Sequence, residues 1–385
     1  MRHQNTVFHD LTKRIPWAEF DRIVERHRGD RRVRRLTCKG QLLALLFGQL
    51  SGADSLRGIA TTMGSHSARL YHVGSKVPAR STLADANATR PWQVFGDLFA
   101  HMAGNANRAT RRHIRDAVRI LDATRIGLNG LSAGWAGGVP GTEAAKVHVV
   151  YDPVADVPLR ADLTSCRVND ITPARALEPE AGATYVFDLG YYSFQWWADL
   201  DAAGCRFVTR LKRNTGLTVT DERPVEAGQA VLSDRTGYLP ERMARSRRNP
   251  FSKPVRELEV SISTGKIIRV VTNDLEAPAE EIADLYKARW QIELLFKWIK
   301  QNLRIRRFLG TSENAVRIQI FAAMIAYLLL REARQDQDAV ATQLDFTRLV
   351  RLNLMHRRSS ADLMNQPTPP PPPDRRQLRL ELRAC

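Results

Sequence analysis

The chain has 385 residues, enough by length for two or three domains and for at least one sizeable hydrophobic core. Lysine and arginine number 58 against 41 aspartates and glutamates, a formal charge of +17, so the surface carries an excess of cations whose natural partner is a polyanion, nucleic acid first. A merely basic protein, or one that touches anionic lipid, fits the charge alone equally well.

The opening residues, Met1 to Trp17, contain no apolar stretch of the kind a signal peptide needs, which leads us to expect a cytoplasmic protein. The apolar run from Ile320 to Leu330 falls short of the ~20 residues that span a bilayer and reads as a buried helix, with no membrane role expected. Cys38, Cys166, Cys205 and Cys385 are scattered, without a C-x-x-C pair or a histidine at ligand spacing, so free thiols and no zinc site are expected.

From Phe8 to about His101 the apolar spacing is helical, as in Leu42, Leu45, Leu46, Phe47 and Leu50, and predicts a small helical domain over 1–110. Ser51 to Asp54 is a turn, Ser55 restarts a helix, and Ser81 stands as an N-cap. Both a DNA-binding helix-turn-helix and a unit that only packs fit this pattern. Arg108, Arg111, Arg112 and Arg115 suit a linker or a DNA-facing segment.

The pattern changes at Ala117. Ala117 to Asp122, Val147 to Tyr151 and Val157 to Leu163 read as three strands of a meander, with a glycine-rich excursion (Gly127 to Gly141) after the first and an Asp152-Pro153 turn before the third. A short helix over Thr172 to Leu177, a strand over Thr184 to Asp188, a helix over Ser193 to Ala203 and a strand over Arg206 to Leu211 follow. That order predicts an α/β fold with a ribonuclease H-like core: a mixed five-stranded sheet with flanking helices, its first part over 117–211. Residues 212–273 read as a β-rich insertion subdomain, with strands at Leu217 to Thr220, Val255 to Ile262 and Ile267 to Thr272. The last part of the core, 278–335, holds one helix from Pro278 to about Leu303 and a second over Ser312 to Gln335. Residues 336–385 form a basic tail containing the run Pro369 to Pro373, a spacer rather than a packed element.

Phosphodiester chemistry with two metal ions requires carboxylates that converge from separate elements. Asp122 ends the first strand and Asp188 the fourth, which are neighbours in such a sheet, and Glu293 sits mid-helix in the late segment. Singly each has a plainer reading: a strand-end Asp as a turn residue, and Glu293 as one member of a solvated face with Arg289 and Lys297. On one continuous helix Tyr286, Arg289, Glu293 and Lys300 fall within an arc of about 60°, beside an apolar stripe of Leu285, Ala288, Ile292, Leu295, Ile299 and Leu303. Such a helix buries one face and turns a carboxylate flanked by cations and a phenol toward something anionic.

Tyr286-Lys287-Ala288-Arg289-Trp290-Gln291-Ile292-Glu293, with Lys300 seven residues on, resembles the Y-(2)-R-(3)-E-(6)-K signature of DDE transposases of the bacterial insertion-sequence type, the IS-four family. Leu121-Asp122-Ala123-Thr124 is similar to that family's first aspartate motif, and Asp188-Leu189-Gly190-Tyr191-Tyr192-Ser193 to its second. The resemblance covers roughly Ala117 to Leu330. It implies that Asp122, Asp188 and Glu293 are the catalytic residues and hold two Mg²⁺ or Mn²⁺ ions. It implies that Tyr286, Arg289 and Lys300 contact DNA phosphates, and that Trp290 helps hold a flipped base; packing is the other reading for Trp290, and the one given to Trp298. The implied partners are double-stranded DNA, as terminal repeats and target, and a second copy of the chain, since two ends must be cut.

The implied function is DNA transposition by cleavage and strand transfer at the ends of an insertion sequence. A non-catalytic DNA-binding repressor of the element and a ribonuclease H-like nuclease are the alternatives. Asp152 reads as a turn residue and His148 as an inward or cross-strand residue. Arg242, Arg245, Arg247 and Arg248 read either as a solvated loop or as phosphate contacts.

Overall fold

The computed structural model describes residues 5–111, 117–128, 130–138, 142–226, 229–242, 248–262, 264–302, 310–335, 342–357, 359–360 and 363. Arg112, Arg115, Gly141, Arg245, Arg247, Leu303, Pro369 to Pro373 and Cys385 lie outside these residues, as does the Arg111 side chain.

Hydroxyls at Thr6, Thr37 and Ser55 accept backbone amides three residues ahead and so start α1 (Val7–Thr12), α3 (Cys38–Ser51) and α4 (Leu56–Ser65). Between them lies α2 (Trp17–Arg26), and α5 (Arg80–Thr89) and α6 (Gln93–Arg111) complete the first 111 residues. Ser81 does not cap: Ala79 is the last extended residue, so the helix begins at Arg80 and Ser81 falls inside its first turn. α3 is buried on nearly every side. It ends on Gly52, whose left-handed φ of 77° turns the chain toward α4. Gly48 lets the two helices touch, since a Cβ there would stand 2.5 Å from Ile59 Cδ1.

The strands form one sheet. β1 (Val118–Gly127), β2 (Ala144–Asp152) and β3 (Val157–Ser165) make an antiparallel meander, with the short α7 (Ala133–Ala136) in the excursion between the first two. After α8 (Ile171–Arg175), β4 (Thr184–Phe187) pairs parallel with β1; after α9 (Phe194–Ala202), β5 (Arg206–Arg210) pairs parallel with β4. The sheet does not stop at the expected five strands. β6 (Thr218–Arg223), β7 (Val231–Tyr238), β8 (Val255–Ser261) and β9 (Ile267–Thr272) join through antiparallel pairing of β9 with β5, giving nine strands in the order β3-β2-β1-β4-β5-β9-β8-β7-β6. β1 also runs past the expected strand end, because Ala123 to Gly127 continue the ladder opposite Ala144 to His148; Asp122 is therefore mid-strand.

One face of this sheet, with Ile120, Val147, Val149, Val186, Val208 and Val270, shares a core with the N-terminal helices and the late helices. The other, with Leu121, Tyr185, Phe187 and Phe207, packs on Trp196 and Trp197 of α9. Asp152 is a turn residue, accepting the amides of Val154 and Ala155, and also a buried ion-pair partner, 2.8 Å from Arg119 and 2.6 Å from Asn107. His148 is buried and cross-strand, its Nε2 2.8 Å from Thr164 Oγ1.

The late segment departs from one long helix. α10 (Ala279–Ala288) stops at Arg289, and α11 (Trp290–Asn302) starts anew. At the junction the Arg289 amide bonds to Tyr286 O and the Ile292 amide to Arg289 O, tight three-residue turns that interrupt the regular ladder. The single-helix stripe from Tyr286 to Lys300 is corrected accordingly.

α12 (Glu313–Gln335) is long and apolar enough, by length and composition, to cross a membrane, but 83% of its apolar window is buried inside the protein, against α3, α5 and α6. α13 (Gln343–Asn353), capped by Thr342, occupies part of the stretch read as tail.

Candidate active site

Register places the first two acids together. Leu121 pairs with Phe187 at the end of the parallel β1/β4 ladder, so Asp122 in β1 and Asp188, which follows β4 in extended backbone, are the next residues along and share a face. Asp188 Oδ1 accepts the Gly190 amide at 2.8 Å, which turns the chain sharply after β4. Asp122 Oδ1 accepts the Ala123 amide at 2.7 Å.

The third acid comes from α11. Arg289, at the break before that helix, donates to Glu293 Oε1 at 2.6 Å and reaches Asp122 Oδ2 at 3.4 Å, so one guanidinium bridges two of the three carboxylates. Burial pushes the Asp122 carboxyl up to about 7; its Ala123 hydrogen bond and Arg289 pull it down, while the charges of Asp188 and Glu293 push the same way as burial. Burial disfavours the Arg289 charge, but Tyr286, Glu293 and Asp122 outweigh it and hold the group above its ordinary value.

These side chains can hold a cation. The donors are all carboxylate oxygens, which suit a hard divalent ion, and the Asp122 carboxyl feels two like charges that such an ion would relieve. Among the described residues no three acids, histidines or cysteines are grouped at metal-ligating spacing; a guanidinium bridges Asp122 and Glu293 instead.

The remaining expected residues divide. Tyr286 is buried, with the Arg289 guanidinium 5.8 Å over its ring, and burial raises its phenol's pKa. Lys300 lies beside Thr124, on the same strand face as Asp122. Trp290 is 58% exposed and is not a core residue, whereas Trp298 packs edge-on against Tyr327, ring centroids 5.0 Å apart.

Two side chains at the site escaped the sequence reading. Arg210, at the end of β5, acts on the Tyr286 phenol. The second is Asp170, which takes the Lys146 ammonium at 2.8 Å. A Cβ on Gly190 would stand 3.2 Å from Asp170 Oδ2 and 3.0 Å from Asp188 Oδ1, so the glycine threads between two carboxylates. The end of a parallel strand is the one signal that marks Arg210; Asp170 lies in a loop with none.

Comparison with known proteins gives the family. Residues 114–329 match the transposase DDE domain family, and residues 3–76 match a domain of unknown function, DUF4372. The chain is 45% identical over 294 residues to the Sinorhizobium fredii protein y4zB, named as a candidate transposase, covering 75% of this chain and 81% of that one. It is 32% identical to a Geobacillus stearothermophilus protein named as a candidate transposase for insertion sequence element IS5377, over 65% of this chain and 66% of the relative. A looser likeness, to the piggyBac transposase in a synaptic complex with hairpin DNA, has a TM-score of 0.45 at 12% identity over 98% of this chain and 83% of that one, too low to bear weight. With the family match spanning more than half its length and the expected acids gathered on one sheet face and its covering helix, the chain belongs to the DDE transposases.

Proposed function

We propose that the protein cleaves and joins DNA at the ends of an insertion sequence, with Asp122, Asp188 and Glu293 as the catalytic carboxylates. The observation that carries this reading is the meeting of Asp122 and Asp188 on adjacent strands with Glu293 tied to Asp122 through Arg289. The strand order β3-β2-β1-β4-β5, antiparallel then parallel, supports a ribonuclease H-like core over 117–211 and 278–335, with a sheet extension over 212–273 and a helical unit over 1–110.

Asp122, Asp188 and Glu293 are the residues that would hold two Mg²⁺ or Mn²⁺ ions. When bound, such ions polarise the attacking and leaving oxygens of a phosphodiester. The protein's own work is positional: β1 and β4 fix two acids by register, and α11 brings the third. Burial makes the Asp122 carboxyl readily protonated, so it must give up that proton before it can act as a ligand. Tyr286, Arg289 and Lys300 are assigned to the phosphates beside the cut, and Arg289 serves there once it leaves Glu293. Trp290, exposed on α11, is assigned to an unstacked base. The Tyr286, Arg289, Glu293 and Lys300 pattern supports assignment to the IS-four group. Two ends require two copies of the site, hence a homodimer on DNA, working with the nucleoid in the cytoplasm.

The test is incubation of purified protein with a fragment carrying both flanking repeats and Mg²⁺. Cleavage at the ends with strand joining is expected. Asp122→Ala, Asp188→Ala and Glu293→Ala should each abolish cleavage while leaving end binding intact. Cutting without joining would favour a nuclease, and salt-sensitive binding without cutting a repressor.

A further inference from the structure

The loop between α2 and α3 concentrates unpaired positive charge. Within eight residues it places Arg28, Arg31, Arg32, Arg34 and Arg35, all exposed. Arg22 and Arg26, on the helix before it, are paired with Glu19 and Asp97. Among the described residues no carboxylate stands within ion-pair distance of the five loop arginines.

The loop is also built rather than loose. Gly29 is buried so tightly that a Cβ there would stand 2.8 Å from Cys38 Sγ. Asp30 Oδ1 accepts the Cys38 amide at 2.7 Å, and the buried Arg90 guanidinium donates to the Leu36 carbonyl. Within it, Arg31 and Val33 amides close short turns on Arg28 and Asp30. Arg28 and Arg32 hold φ of 52° and 62°, left-handed conformations that L side chains adopt rarely and that persist only where the surroundings impose them. Gathering like charges on a strained, anchored loop weakens the isolated fold and is compensated when a polyanion binds.

We propose that residues Arg28 to Arg35 form a contact surface for the phosphate backbone of double-stranded DNA, independent of base sequence and separate from the α10/α11 site. The inference rests on the DNA-processing reading above. It gives part of the segment matched to a domain of unknown function a task. Guanidinium groups on a loop, with no helix or strand to enter a groove, position a duplex without reading it.

The test measures fluorescence anisotropy of the full-length protein in EDTA on a duplex of about 30 base pairs that carries no element ends, over a series of salt concentrations. Neutralising Arg31, Arg32, Arg34 and Arg35 together as R31Q, R32Q, R34Q and R35Q should lower the slope of log K against log salt by about 3 to 4 and weaken binding at least about tenfold. The same four changed to lysine should keep the slope. R22Q with R26Q, removing paired charge next door, should move it by less than about 1.

An unchanged slope in the glutamine variant overturns the proposal. So does a lysine variant as defective as the glutamine one, which would mark a structural role, and so does loss confined to binding of phosphatidylserine vesicles. If the glutamine variant binds normally while wild-type protein still cuts element ends, only the loop assignment fails. Wild-type protein that binds no duplex at all would instead overturn the DNA reading beneath it.

Discussion

Arg289 holds Glu293 at 2.6 Å while its other amino group reaches Asp122, 167 residues away in the chain. A cation of the protein itself thus engages two carboxylates assigned to metal. Arg289→Ala should tighten Mn²⁺ binding to the DNA-free protein by roughly tenfold, because no guanidinium competes for the acids, while end cleavage falls. Isothermal titration without DNA measures this, and unchanged or weaker Mn²⁺ binding would show that Arg289 does not compete.

Acid dependence follows from Asp122. Its folded carboxyl titrates near 7, first because it is buried, against an ordinary value of 3.8. Below about pH 4 the group is protonated folded or unfolded. Between about 4 and 7 only the folded state keeps the proton, so metal-free stability falls as pH rises through that window; above it the loss is constant. Asp122→Asn should therefore match wild type near pH 4 and exceed it by on the order of 4 kcal/mol at pH 8, read by urea unfolding in EDTA. Equal stability at both pH values would contradict the burial argument.

Gly190→Ala should separate site from scaffold. A methyl group between Asp188 and Asp170 needs one carboxylate to give by a few tenths of an ångström, so cleavage should drop several-fold while the melting temperature moves only a few degrees. Full activity would mean that the loop yields without moving Asp188.

Gly237→Ala should do the reverse. A Cβ there collides with the Thr218 backbone, so β6 must detach from β7 at a cost of about 1–3 kcal/mol. β6 is the far edge of the sheet, and cleavage per folded molecule should not change. Hydrogen exchange of the Thr218–Arg223 amides reports the detachment.

The two tryptophans of α11 should behave oppositely. Trp290→Ala should change stability by less than about 0.5 kcal/mol yet weaken binding to an end with an unpaired base about tenfold. Trp298→Ala removes the ring packed on Tyr327 and should cost about 3 kcal/mol. A Trp290 variant that binds such ends normally would return that side chain to the solvent surface.

Much of this was legible because strands in the core are short, apolar and separated by turns. β2, β4, β5, β8 and β9 lie close to where alternation and β-branched residues put them. β7 was not, because Asp234, Arg235 and Gly237 break the alternation; Asp234 is buried against Arg256 at 2.7 Å, a pairing visible only in three dimensions. The end of β1 was missed because the segment past Asp122 is held by β2, a partner the local sequence does not name. The three acids were named as candidates by motif and topology together, and Arg289 links two of them in the fold. The break at Arg289 was not legible, since the residues around it continue the helical pattern and only the tight turns at Arg289 and Ile292 mark it.

The chain leaves the core at the end of β5 and comes back on β9, and the two lie side by side, Arg210 opposite Val270. Exit and re-entry are therefore neighbours, and everything between them is a lateral excursion. Lengthening it at the β6 edge would change loop-closure entropy only logarithmically, whereas trimming β7 or β8 would remove the Asp234–Arg256 pair, whose guanidinium holds the Ala277 carbonyl just before α10. The protein can therefore accept growth at the β6 edge, the far margin of the sheet, without re-aiming Glu293.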